Sequence, residues 1–347
     1  MCVLSAPAEC AAVVKADAYG LGMAAVASAL ARTGCKTFFV ATLGEAEELR
    51  GLLADATIYV LAGLLEGSAP VYRQLGLRPV LNSADEIEEW AAFSKSARAR
   101  LPAAIHIDSG MNRLGLSAAE VETIAGAKNS WNAFELTLVM SHLACSDEPA
   151  HAKNEVQRKT FDALRAKLPK AAASLANSAG ILLGTAYHYD LVRPGIALYG
   201  GRTSRAGACG FAPVVQLAGR VLQVRDVPPG ETVGYGATRT LKRPSRVAVL
   251  SVGYADGVFR ALSVADNREG LQVHFGSHPA PLIGRVSMDL ITVDVTDVPH
   301  ELTRRGTWVE LIGAHVAAHE FADHAGTIDY EVLTNLGTRA ARRYTGG

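Results

Sequence analysis

The stretch AAVVKADAYGLG (residues 11–22) begins as an apolar run and stops at Lys15, after which Asp17, Tyr19 and two glycines follow. A short β-branched run ending on a cation reads as a buried strand that delivers one side chain to its carboxyl end. Gly20 and Gly22 punctuate the chain there, and GMAAVASALARTG (22–34) has the apolar spacing of an amphipathic helix. The segment is therefore one βα unit with a lysine at its tip. A lone lysine in that place is ordinarily only the solvated end of a strand, so its meaning depends on what the rest of the chain brings to it.

The same alternation continues for about two hundred residues. Further strand-like runs are FFVATL (38–43), TIYVLAG (57–63), RPVLNS (78–83), AAIHIDSG (103–110), LTLVMSHLA (136–144), AAASLANS (171–178) and YDLVRPG (189–195). With CAAVVKA (10–16) they make eight. Helical patterns lie between them at GEAEELRGLLAD, SADEIEEWAAFSKSA, SAAEVETIAGA and NEVQRKTFDALRAKL. Ser83 with Glu86 and Ser117 with Glu120 have the spacing of capping boxes. Eight such units predict an α/β fold of the (β/α)8 TIM-barrel type, with an active site at the carboxyl ends of the strands. A doubly wound open sheet has the same alternation and stays open as an alternative.

From FAPVVQLAGRVLQVRDV (211–227) onward, β-branched runs alternate with Gly/Pro turns, which predicts a mostly antiparallel β domain. EVLTNLGTRAARRY (331–344) reads as its terminal helix. The expected domains are residues 1–205 and 206–347, joined near RTSRAGACG (202–210).

Composition excludes several function classes. Lys plus Arg and Asp plus Glu both number 34, so no net field attracts nucleic acid or an acidic membrane surface. No run approaches the ~18–20 apolar residues of a membrane span. The first fourteen residues lack a cationic leader pattern, so a secretory signal is not expected. Five cysteines (Cys2, Cys10, Cys35, Cys145, Cys209) without ligand-like spacing predict reduced thiols, no metal and a cytoplasmic location.

On a barrel, Lys15, Arg113, His142, Asn177, Ser178, Arg193 and Gly195 all fall at strand ends and converge on one rim. Each alone is more often a solvated end or a cap. Together they suit a cofactor whose aldehyde forms a Schiff base with a lysine, namely pyridoxal phosphate. Ser178, Gly195 and Ile196 would supply hydroxyl and N–H donors to its phosphate, and Tyr19 a phenol.

VVKADAYGLG, HIDSGMNRLG, NSAG, VRPGIALYG, VGYGAT, VGYADG, GRVSMD and TIDYEVLTNLGTRAARRY together resemble the blocks of the alanine racemase family, in that family's order. The resemblance implies a barrel plus a β domain, a homodimer with active sites shared between subunits, and pyridoxal phosphate on Lys15. By the same resemblance Tyr19, Ser178, Gly195, Ile196 and Tyr330 would hold the phosphate. Arg193 would face the pyridine nitrogen, and a permanent guanidinium there keeps that nitrogen unprotonated and limits side reactions. Arg113 and the Met288 backbone would approach the substrate carboxylate. Tyr254 would be the second base opposite Lys15, arriving from the other subunit, with His142 relaying between it and Arg193. Asp147, Arg285 and Ile328 match a narrow entry suited to alanine, with serine rejected only modestly; ordinary interdomain packing is the bland alternative for them.

Two departures from the family pattern stand out. Many members carry a carbamylated lysine seven residues before the MNRLG arginine, and here the position is His106. Arg113 is then expected to be held by a bound anion, by a different carboxylate, or less tightly. Family chains also carry a further strand and helix before the VVKA block, so either the start is truncated or the β domain lacks an edge strand. Rival functions are a fold-related decarboxylase and a non-catalytic pyridoxal-phosphate binder; a purely structural protein would not need the converging rim.

Overall fold

The computed structural model describes residues 1–126, 131–204 and 210–346. The chain forms two compact units, one built on Met1–Leu198 and the other on Tyr199–Arg202 with the chain from Gly210 onward. Cys209 and most of the expected junction lie outside the described residues.

In the first unit all eight expected strands are present, but short. Seven pair in parallel and in strict chain order: Ala12–Val13, Thr37–Val40, Thr57–Val60, Arg78–Leu81, Pro102–His106, Glu135–Met140 and Ala172–Ser174. A doubly wound sheet would reverse its order midway, so the sequential order decides against that alternative. The eighth strand, Leu191–Val192, pairs in parallel with Glu9–Cys10, the residues immediately before the first strand. Its continuation bridges Arg193 to Asn177 beyond the seventh strand. The sheet thus curls back toward its own beginning. Thr37–Val40 is buried along its whole length, as befits a parallel strand covered on both faces.

The helices fall where the periodicity places them: Met23–Arg32, Leu43–Leu52, Ala84–Ser96, Ala118–Ala125 and Lys153–Arg165. Ala69–Leu75 and Ser178–Leu182 are additional, and too short for their apolar spacing to register. Ser117 and Glu120 form a reciprocal capping box. Ser83 accepts the Glu86 N–H, but the Glu86 carboxylate turns to the N–H groups of Asn82 and Leu64 (3.0 and 3.1 Å). A box at Thr42 and Glu45, unread in the sequence, is complete.

In the second unit six antiparallel strands close into a barrel: Leu217–Val227, Ser245–Leu250, Ile291–Asp294, His278–Ile283, Gln272–Phe275 and Trp308–Ile312, in that spatial order. Closure leaves this barrel without a free edge. Val273, Leu282, Val293, Val309 and Leu311 fill the core, and Phe321 of the helix Ala318–Ala325 plugs it. The terminal helix is a correction: Asp329–Thr334 is helical, but RAARRY (339–344) is not. The helix ends at its C-cap Asn335, and Gly337 then passes close to the turn at Ala255, where an added Cβ would lie 2.7 Å from the Ala255 carbonyl and its own N–H donates to the Asp256 carbonyl (3.4 Å). No helix among the described residues is long and apolar enough to cross a membrane, and the four described cysteines are free.

Candidate active site

Lys15 sits at the end of the first strand, and the chain then makes an uncommon turn. Ala16, Asp17, Ala18 and Tyr19 are all left-handed, with φ between 52° and 56°. Each non-glycine residue in that region costs about 1–2 kcal/mol, so the turn persists only because neighbours hold it. Glu45 Oε1 accepts the Ala16 N–H (2.7 Å), Asp17 Oδ1 accepts the Met23 N–H (2.6 Å), and the Ala18 N–H returns to the Val14 carbonyl (2.9 Å). Ala18 and Tyr19 are buried as a result. The left-handed turn reverses the chain fast enough to bring a residue four positions after Lys15 beneath the rim. Sequence reading expected the phenol there but missed Glu45, which ties the first strand's tip to the helix after the second; its capping-box spacing from Thr42 was the available signal.

The Tyr19 hydroxyl lies against Gly195, where an added Cβ would come within 2.2 Å of it. Ser178 Oγ accepts the N–H groups of Gly195 (2.8 Å) and Ala197 (3.2 Å), with buried Ile196 between them. Asn177 caps the short helix through the Gly180 N–H (2.8 Å). Burial pushes the Tyr19 phenol up to about 12, so it stays protonated and can donate. Tyr19, Ser178, Gly195 and Ile196 thus lie together, and only glycine at position 195 leaves room for the Tyr19 phenol. Gly195→Ala should weaken cofactor affinity at least about tenfold by driving the phenol off, as equilibrium dialysis with pyridoxal phosphate would measure.

Burial lowers the Lys15 ammonium from its ordinary value, and the Arg113 charge adds to this against the opposing pull of Glu45. Among the described residues no carboxylate forms an ion pair with Lys15. A partly desolvated amine next to a guanidinium is what a nucleophilic lysine requires. Arg193 is buried, with one Nη donating to Ser174 Oγ and the other to the Ser141 carbonyl at 2.6 Å. Burial without a carboxylate partner pushes the guanidinium down to about 9, still cationic at neutral pH. His142 follows the sixth strand. Burial first, then Arg193, Arg113, His106 and Lys15, hold its pKa well below the usual imidazole range, so it is neutral.

Arg113 stands exposed on a loop organised by Asp108. Its carboxylate accepts the N–H groups of Gly110, Met111 and Asn112 at 2.7–3.0 Å. No carboxylate pairs with Arg113 among the described residues. His106 is buried and hydrogen-bonded through Nδ1 to Asn82 Oδ1 (2.9 Å). The Asn82 amide donates to the Val80 and Leu61 carbonyls (2.7 and 3.3 Å), so its oxygen must accept and His106 Nδ1 carries the proton. Nε2 is left as an acceptor.

Burial, reinforced by Arg193, holds His106 down at about 4. Unfolded, the imidazole protonates near 6.5. Its contribution is therefore complete above that value and is lost as the pH falls from about 6.5 to about 4, by about 3 kcal/mol. His142, displaced in the same direction, adds to the trend. Urea midpoints should fall across this window, and His106→Gln should flatten the dependence.

All the remaining predicted residues except Asp147 lie in the second unit. Tyr254 is on the turn Tyr254–Asp256, and the N–H groups of Tyr254 and Ala255 donate to the carbonyls of Ser287 and Met288 (both 3.0 Å). Gly253 permits the approach, since a Cβ there would lie 2.3 Å from the Met288 oxygen. Tyr254 and Met288 are therefore neighbours, both partly exposed. Asp256, missed in the sequence, accepts the Gly253 N–H (2.9 Å) and pairs with Arg339 (3.1 Å), which also reaches Asp289 (2.7 Å). This bracing fixes the Tyr254 turn. The Arg285 guanidinium packs on Gly236, Ile328 caps the helix Asp329–Thr334, and Tyr330 stands in its first turn. Asp147 belongs to the first unit, after His142.

A family model described as "Alanine racemase, N-terminal domain" matches residues 2–203, and one described as "Alanine racemase, C-terminal domain" matches residues 214–344. The chain belongs to the alanine racemase family. A racemase of that family from Methylobacterium nodulans is 51% identical over 343 residues, covering 99% of this chain and 91% of that one. One from Mesorhizobium japonicum, named as catabolic, is 47% identical and covers 98% of this chain and 87% of its own length. Among solved structures, the alanine racemase from Bartonella henselae, titled as holding covalently bound pyridoxal phosphate, superposes with a TM-score of 0.92 at 40% identity, covering 99% of this chain and 94% of that one. The biosynthetic alanine racemase from Pseudomonas aeruginosa gives 0.90 at 37% identity, covering 99% and 94%.

Proposed function

We infer that this chain is a pyridoxal-phosphate-dependent alanine racemase that interconverts L- and D-alanine and supplies D-alanine for bacterial cell-wall peptidoglycan. The observation that carries the reading is full-length family membership combined with a desolvated Lys15 after the first strand and a glycine at 195 that admits the Tyr19 phenol. Bound pyridoxal phosphate supplies the electron sink for negative charge at the α-carbon.

The chain's own residues do the rest. Lys15 Nζ anchors the cofactor and moves a proton on one face of the α-carbon; Tyr254 Oη moves one on the other. Tyr19, Ser178, Gly195, Ile196 and Tyr330 hold the phosphate. Arg193 faces the pyridine nitrogen, and neutral His142 stands between Arg193 and Tyr254. Arg113 and the Met288 backbone orient the substrate carboxylate. Asp147, Arg285 and Ile328 narrow the entry. Tyr254 and Met288 come from the second subunit of a homodimer, and the enzyme works in the cytoplasm.

The test is cofactor and isotope chemistry on the purified protein. An absorbance band near the visible edge that borohydride bleaches, with loss of the α-proton of L-alanine into deuterated water, is the expected result. Cofactor binding without exchange, or decarboxylation without racemisation, would overturn it.

A further inference from the structure

Gln157 lies on the helix Lys153–Arg165 and is completely buried. Its Oε1 accepts the Ala144 N–H (2.8 Å), and its Nε2 donates to the His142 carbonyl (2.9 Å) and to Ser109 Oγ (3.3 Å). Ser109 in turn shares a hydrogen bond with Ser141 Oγ (2.7 Å), and the Ser141 carbonyl accepts from Arg193. One amide therefore connects the loop after the fifth strand, the chain on both sides of Leu143, and the arginine after the eighth.

The physical need is local. Parallel pairing of the sixth strand runs out at Ser141, whose N–H still reaches the Ser174 carbonyl (3.0 Å). Beyond it the His142 carbonyl and the Ala144 N–H, both only partly buried, pair with no neighbouring strand among the described residues, and both turn to the Gln157 amide instead. A primary amide offers a donor and an acceptor side by side, as the next peptide unit of a sheet would. We propose that Gln157 is a positioning residue for the racemisation reaction: it substitutes for a missing strand and fixes the backbone that aims His142. This rests on the reading in which His142 stands between Arg193 and the proton-transferring phenol.

Two variants separate positioning from ordinary packing. Gln157→Leu removes both donor and acceptor. Gln157→Glu keeps the acceptor for Ala144 but, once ionised, has no donor for the His142 carbonyl; protonated, it regains one. In the cofactor-free protein, amide hydrogen exchange at Ala144 should accelerate at least about tenfold in Gln157→Leu and stay near wild type in Gln157→Glu, with the protection of helix 153–165 retained.

In the loaded enzyme, the kcat/KM of Gln157→Glu relative to wild type should rise about tenfold as the pH falls from ~9 to ~6. The α-deuterium isotope effect should change when measured from one alanine enantiomer and not from the other. Unchanged Ala144 exchange in Gln157→Leu, or a flat pH ratio with both isotope effects as in wild type, would overturn the proposal. A wild-type enzyme that binds cofactor yet exchanges no α-proton would instead sink the underlying reading, and this inference with it.

Discussion

Lys15→Ala should abolish racemisation, with α-proton exchange falling by at least about 10⁴-fold, because on the proposed function the substitution removes the cofactor anchor and one proton-transfer group together. The borohydride-sensitive absorbance band should vanish in the same variant. Thermal stability should change little, since no carboxylate pairs with this lysine among the described residues and partial desolvation of its ammonium is already unfavourable. A variant that kept even a hundredth of the wild-type exchange rate would remove Lys15 from the chemistry.

Tyr254→Phe should lower kcat by about 10²–10⁴-fold while leaving the cofactor band intact. The phenol ring is partly exposed, and its turn is held by Asp256, Arg339 and the Met288 loop rather than by the hydroxyl. The fold should therefore survive the loss of one oxygen. The same variant tests the sharing of active sites between subunits. If Tyr254 serves the partner's Lys15, mixing and reassociating equal amounts of Lys15→Ala and Tyr254→Phe protomers should restore about a quarter of wild-type activity, because half the dimers are mixed and each regains one intact site. No recovery, with subunit exchange verified, would place both groups in one chain.

Much of the first unit was legible in residues 11–195 because a parallel strand buried on both faces is a continuous apolar run whose last residue emerges at the rim. Runs such as FFVATL advertise their class without any partner in view. Lys15, His142 and Arg193, which closely follow strands, could be marked for the same reason, whereas Arg113 lies on a loop seven residues past its strand. Helix starts with a hydroxyl three residues before a glutamate were readable too, as Ser117 and Glu120 demonstrate. The short helices Ala69–Leu75 and Ser178–Leu182 were not, because five to seven residues hold too few turns for a period to be counted.

What the linear order alone determined is the alternation of elements and the residue types delivered to strand ends, since both follow from local spacing. What tertiary structure decided is which of those groups meet and in what protonation state. The left-handed turn at Ala16–Tyr19 is held by Glu45 from another helix, and nothing in VVKADAYGLG announces it. His106 keeps its proton on Nδ1 because Asn82, twenty-four positions away, has already spent its amide on two carbonyls. Hydrogen bonding and desolvation depend on distances between residues remote in the chain, and those distances exist only after the sheet has curled.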